Sequence, residues 1–190
     1  MDSAIVLFLN AGVGNVAPFD SLMKVLVSDY FVPVTGSLAL VSLWMTGTHE
    51  TRPLNQVTTI VAAAAIGCAN AITTIINNVV ERPRPFVDND LATGLFYSPT
   101  DPSFPSNTAS VGFALATAVF LRHRRLGGVL YALAFCWGFA RVYAGVHYPT
   151  DVLAGAAIGV VAALAMAALF RVLAFVPRYA LRWLRLLYVA

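Results

Sequence analysis

Apolar residues fill the chain in long blocks, and polar residues collect at the block ends. Five blocks stand out, at roughly 31–47, 55–80, 107–121, 127–146 and 151–176. A helix that crosses a bilayer needs about 20 apolar residues, with a range of about 17–25. Four blocks read as strong spans. The 107–121 block is short, but its helix can run on through the following arginine cluster. Residues 1–30 are ambiguous. The stretch AIVLFLNAGVGNVAPF is short for a span and contains Gly12, Gly14 and Pro18, while FDSLMKVLVSDYF is amphipathic. They form a sixth span or lie in the interface. The pattern predicts an all-α, polytopic transmembrane bundle of five to six spans, one domain over residues 1–190.

Composition agrees. Of 190 residues, 59% are hydrophobic and 11% charged, with a mean hydropathy of +0.76. Soluble domains average about 25% charged. The net charge of +3 is too small and too dispersed for a nucleic-acid surface. No basic residue precedes Lys24, which argues against a cleavable signal peptide. Cys68 and Cys136 each lie in an apolar run and are expected to be unpaired, buried small hydrophobes. Gly155 and Gly159 form a GxxxG that permits close helix packing.

Basic residues set the orientation. Arg122, Arg124 and Arg125 lie between two blocks, and Arg171, Arg178, Arg182 and Arg185 follow the last. Both regions are expected on the cytoplasmic side, with 177–190 an interfacial amphipathic tail. Alternate threading then gathers Arg82, Arg84, Arg141, His147 and Asp151 at the outer face.

Three stretches there carry chemistry. In ERPRPF, prolines end a helix and fix Arg82 and Arg84, whose planar guanidinium forks suit phosphate oxygens. In FPSNTAS, Ser106 can cap a helix that begins near Asn107, and free N–H groups there favour an anion. In ARVYAGVHYPTD, His147 and Asp151 are four apart, with Pro149 starting the next helix. Asp151 is expected to accept from one ring nitrogen of His147, freeing the other for attack. Ionisable residues at membrane depth are functional by default.

Together these stretches resemble the type 2 phosphatidic acid phosphatase (PAP2) superfamily of membrane lipid phosphatases. Its pattern is Lys-x6-Arg-Pro, then Pro-Ser-Gly-His, then Ser-Arg-x5-His-x3-Asp. The resemblance runs from Asn77 to Asp151 and looks most like the branch with undecaprenyl diphosphate phosphatases. It implies that His147 is the nucleophile and Asp151 its orienting partner. Arg84, Ser106, Asn107 and Arg141 then bind the phosphate. Two positions depart: Asn77 stands for the lysine, and Thr108 for the histidine that protonates the leaving oxygen. Asn77 can still donate one hydrogen bond, and Arg82 can supply lost charge. The resemblance implies no metal or cofactor, and no Asp/Glu/His cluster has metal-ligand spacing.

A general acid is worth about 10²–10⁴-fold in rate. A phosphomonoester expels a strongly basic alkoxide and needs that proton badly. A diphosphate expels a phosphate and needs it little. The expected function is therefore removal of phosphate from an isoprenoid diphosphate or related lipid at the outer face of the cell (inner) membrane, through a phosphohistidine. A catalytically impaired lipid-phosphate binder or carrier, and a lipid-to-lipid phosphotransferase, are the alternatives. Asp88, Asp90 and Asp101 are candidate substitute acids.

Overall fold

The computed structural model describes residues 1–88, 99–173 and 175–186. Among these the regular structure is helical throughout: α1 (Asp2–Asn10), α2 (Ala17–Val27), α3 (Phe31–Met45), α4 (Arg52–Val80), α5 (Pro85–Asp88), α6 (Asn107–Phe120), α7 (Arg124–Tyr143), α8 (Pro149–Val172) and α9 (Phe175–Leu186). Local chemistry sets several of the ends. Pro53, Pro149 and Pro18 sit in first turns, where their missing N–H is not needed. α4 ends on Glu81 in the left-handed region (φ 43°), one residue before the Arg-Pro-Arg-Pro run.

α6 is the central helix and packs against α4, α7 and α8. Most of its residues from Ala109 to Val119 are buried. Small residues make this possible. A Cβ on Gly155 would stand 2.2 Å from the Ser106 carbonyl oxygen, and one on Gly159 2.2 Å from that of Ser110. The GxxxG pair thus lets α8 lie directly on the first turns of α6. The main core joins Val61, Ala62, Ala65 and Ala69 of α4 to Ala114–Ala116, Ala118 and Val119 of α6, with Ala162 and Ala163 of α8. The N-terminal helices pack on the end of α7 through Met23, Leu26 and Val27 against Ala140, Tyr143 and Val146.

Among the described residues, three helical stretches, containing α4, α7 and α8, are long and apolar enough to cross a membrane. α2 and α3, bent by 61° at the break between them, add a fourth if they form one span. The sequence-based count of five to six is not reached on length. α1 has only 9 residues, and α6 has 14 and buries its apolar surface against other helices rather than lipid. The cysteines also differ from expectation: Cys68 is half-buried and Cys136 is exposed on α7. An apolar run reads alike whether it faces core or lipid, so burial was not legible there.

Candidate active site

The first turns of α6 and α8 and the last turns of α4 and α7 meet at one end of the bundle, and the three sequence stretches converge there. Gly145 (φ 70°) lets the chain reverse after α7, and the N–H groups of Val146 and His147 return to the Arg141 carbonyl at 3.0 and 3.3 Å. His147 is thereby held in the short loop before α8, with 3% of its surface exposed.

Both ring nitrogens of His147 have partners that fix the tautomer. Nδ1 lies 2.9 Å from the backbone carbonyl of Ser103, which can only accept. Nε2 lies 3.3 Å from a guanidinium nitrogen of Arg84, which can only donate. The proton therefore sits on Nδ1, and Nε2 presents a lone pair toward the Arg84 guanidinium. Burial holds the His147 pKa below the usual histidine value, Arg84 and Arg141 add to the lowering, and the Asp151 carboxylate opposes it.

Asp151 meets His147 less directly than expected. Its nearer oxygen is 3.9 Å from Nδ1, beyond hydrogen-bond range. The third residue of α8 aims this carboxylate back at the helix start, where it accepts the Tyr148 N–H at 2.9 Å. The Ser103 hydroxyl donates to the same oxygen, and Arg82 donates to the other at 2.5 Å. Asp151 therefore holds the segment that carries the Ser103 carbonyl, and meets the imidazole through it. Its own carbonyl accepts from the Ser106 N–H at 3.0 Å.

Arg84, 4% exposed, donates to the carbonyls of Asp101 (2.7 Å) and Val146 (3.1 Å) and pairs with the Asp101 carboxylate at 3.0 Å. Arg141, 2% exposed, pairs with Asp29 from the break between α2 and α3. Its guanidinium lies over the Trp137 ring, 5.7 Å from the centroid. Arg82 stands on the acidic side of the site, between Asp151 and Asp2 (3.0 Å). It stacks 4.0 Å above the Tyr148 ring. Its charge faces these two carboxylates, as those of Arg84 and Arg141 face Asp101 and Asp29.

Ser106 caps α6 by accepting from the Ala109 N–H at 3.4 Å. The Asn107 and Thr108 amides that follow have no carbonyl one turn behind them, the usual basis of a helix-end anion site. The Asn107 side chain points away, accepting from Thr73 of α4 at 2.8 Å. Asn77 also serves the scaffold. With its amide nitrogen toward the loop it donates to the Phe104 carbonyl at 2.5 Å, so the hydrogen bond expected for a phosphate is spent on the loop that holds Ser106. The Thr108 hydroxyl lies 2.9 Å from that of Ser106. Of the candidate acids, Asp101 is on Arg84, Asp88 accepts from the Tyr148 hydroxyl at 3.3 Å, and Asp90 lies outside the described residues. Ser103 and Asp29 were missed by the motif reading. Asp29 carried a signal, a lone carboxylate within an apolar stretch; Ser103 acts through its backbone and carried none.

An apolar groove of about 250 Å³ adjoins the site between α7 and α8. Phe113 of α6, Phe135 and Phe139 of α7 and Val152 of α8 line it, and Ile5 and Leu9 of α1 flank it. α1 is tied to the site itself, because Asp2 accepts from Arg82 and from the Thr150 N–H (3.3 Å) and hydroxyl.

Comparison with known proteins follows the same residues. The bacitracin transport permease protein BcrC of Bacillus licheniformis is 34% identical over 128 residues, covering 67% of this chain and 61% of that one. The chain thus spans under two thirds of that relative's length. Undecaprenyl-diphosphatase BcrC of Bacillus subtilis is 32% identical over 143 residues, 75% of this chain and 70% of the relative. The crystal structure of Aquifex aeolicus LpxE shares the fold, with a TM-score of 0.65 and 24% identity over 87% of this chain and 93% of that one. Residues 58–174, which contain all three stretches, match the PAP2 superfamily, and the chain belongs to that family.

Proposed function

We propose that the protein is a membrane phosphatase that removes the terminal phosphate of an isoprenoid diphosphate, through a phosphohistidine on His147, at the outer face of the cell membrane. The observation that carries this reading is the fixed tautomer of His147, with the Nε2 lone pair beside Arg84. A protein that only binds a phosphate has no use for an oriented, neutral imidazole.

In the proposed step Nε2 attacks the terminal phosphorus, the bond to the bridging oxygen breaks, and the lipid monophosphate leaves with that electron pair. The ring keeps its Nδ1 proton and becomes cationic, facing the Ser103 carbonyl with Asp151 nearby. Arg84, Arg141 and the first amides of α6 take the transferred phosphoryl oxygens. Thr108 does not titrate near neutral pH, so a leaving group of low basicity is favoured, and a lipid phosphate is one. The groove between α7 and α8 suits a hydrocarbon tail entering from the side. The name of the Bacillus subtilis relative points to the same substrate class. Arg122, Arg124 and Arg125 lie at the far end of α6 and the start of α7, which supports an outward-facing site.

The test is phosphate release by purified protein in detergent from farnesyl diphosphate and from phosphatidic acid, beside His147→Ala. Release from the diphosphate that disappears in His147→Ala is the expected result. Faster turnover of phosphatidic acid, or activity that survives His147→Ala, would overturn the reading.

A further inference from the structure

A phosphohistidine must be hydrolysed, and no residue of the three stretches is placed to activate the water. Thr108 shares its hydroxyl with Ser106. Asp151 is enclosed by Arg82, Ser103 and the Tyr148 N–H. Asp101 and Asp88 stand beside Arg84 and Tyr148.

Asp29 is placed much as Asp101 is, on a guanidinium assigned to the phosphate, but it reaches the site from a different part of the chain. It comes from the break between α2 and α3, outside the motifs, yet its carboxylate sits on Arg141, the guanidinium assigned to the phosphate. The Arg141 side chain is 2% exposed and that of Asp29 38%, so this carboxylate joins the buried cradle to water. α3 also runs beside α6. A Cβ on Gly36 would meet Leu115 at 2.6 Å, and Val32 lines one cavity with Val111. Three residues before Val32 and Val111 stand Asp29, in the break that precedes α3, and Thr108, in the first turn of α6. Asp29 thus precedes the end of α3 that lies beside the end of α6 where the usual histidine is missing.

We propose that Asp29 is the base that delivers water to the phosphohistidine. The inference rests on the reading of His147 as nucleophile. The arriving phosphate takes donors of Arg141 from Asp29, and the carboxylate stays at the mouth of the cradle. A water held there attacks phosphorus. The new O–P bond forms as the P–Nε2 bond breaks, and the electron pair returns to Nε2. The proton of the water passes to Asp29, which releases it to solvent at its exposed edge. Inorganic phosphate leaves and the ring is again neutral with its proton on Nδ1. The carboxylate thus restores the base function that position 108 lacks, in the half-reaction where leaving-group quality cannot help.

The experiment is rapid-quench turnover of farnesyl diphosphate labelled with ³²P in the terminal phosphate, using wild type, Asp29→Asn, Asp29→Glu and His147→Ala in detergent. Asp29→Asn is expected to release one equivalent of farnesyl phosphate at close to the wild-type rate. Its steady state should then be about 10²–10⁴-fold slower, the usual worth of a positioned base. Acid-labile, alkali-stable label should accumulate on the protein. Asp29→Glu should recover part of the steady-state rate. The burst itself reports that the Asp29→Asn site is folded. The inference is overturned if Asp29→Asn turns over normally, or slows burst and steady state together without retaining label. Activity in His147→Ala with no label in any variant overturns the nucleophile reading instead.

Discussion

The Ser103 backbone carbonyl, 2.9 Å from Nδ1 of His147, accepts a hydrogen bond from the imidazole. The Asp151 carboxylate, at 3.9 Å, grips the Ser103 hydroxyl. The histidine is thus oriented by main chain, and the acid orients the main chain. Ser103→Ala keeps the carbonyl and removes one hydrogen bond to a buried charge, so it should cost about 1.5–3 kcal/mol of stability with a modest loss of turnover. Asp151→Asn also removes the anion facing a cationic phosphorylated ring, worth at most about 4 kcal/mol at that separation. Its turnover should fall about 10- to 1,000-fold. Denaturation in detergent and kcat for both variants check this; equal losses of kcat would reduce Asp151 to a scaffold for Ser103.

The buried site should also show in the pH profile. With the His147 pKa lowered by burial, the nucleophile stays neutral below the ordinary histidine range, and the acidic limb of kcat/KM should fall below about pH 6.5. The same shift makes the unfolded chain bind more protons than the folded one below about pH 6.5. This group's contribution to stability is therefore complete above that value and lost as pH falls through the lowered pKa. Activity and unfolding measured from pH 5 to 8 test both limbs, and His147→Gln should remove the stability effect.

Packing beneath the site makes a sharper demand. An alanine at 155 would drive a methyl group into the Ser106 carbonyl, whereas one at 67 meets nothing within 4 Å. Gly155→Ala should cost about 1–3 kcal/mol through overpacking and most of the activity, because the displaced backbone carries the N-cap of α6. Gly67→Ala should be neutral or stabilising by up to about 1 kcal/mol. Thermal unfolding in detergent, paired with turnover, separates the two.

Restoring a histidine at position 108 tests the leaving-group argument. Thr108→His should raise turnover of phosphatidic acid by about 10²-fold or more and that of farnesyl diphosphate far less, since only the alkoxide depends on the proton. A uniform gain on both substrates would show that position 108 governs a shared step.

The helices and the triple motif were legible because both rest on local pattern: apolar blocks, proline breaks, and charged residues at fixed spacing. The close approach of α8 to α6 was legible from Gly155 and Gly159 for the same reason. What failed were pairings made across the fold. Arg82 carried no sign that Asp2, distant in sequence, would stand beside it. Asn77 gave no sign that its side chain would turn to the loop at Phe104, nor Asn107 that its side chain would meet Thr73 while its backbone amide stays at the start of α6. Asp29 lay in a stretch whose path depended on a 61° bend that short-range pattern does not specify. The role of the Ser103 carbonyl has no side-chain signature to read.

Arg82, Arg84 and Arg141 each hold a carboxylate before any substrate arrives. On the proposed reading of Arg84 and Arg141, the resting cradle is a set of closed circuits, and binding is an exchange of anions. Asp29 and Asp101 are attached to the same chain, so they compete at a local concentration that free phosphate in solution does not match. A lipid substrate meets that competition with a tail anchored in the bilayer; the inorganic product has no such anchor. The same ion pairs that complicate entry of the headgroup thus act as an ejector for the product, and favour turnover over retention.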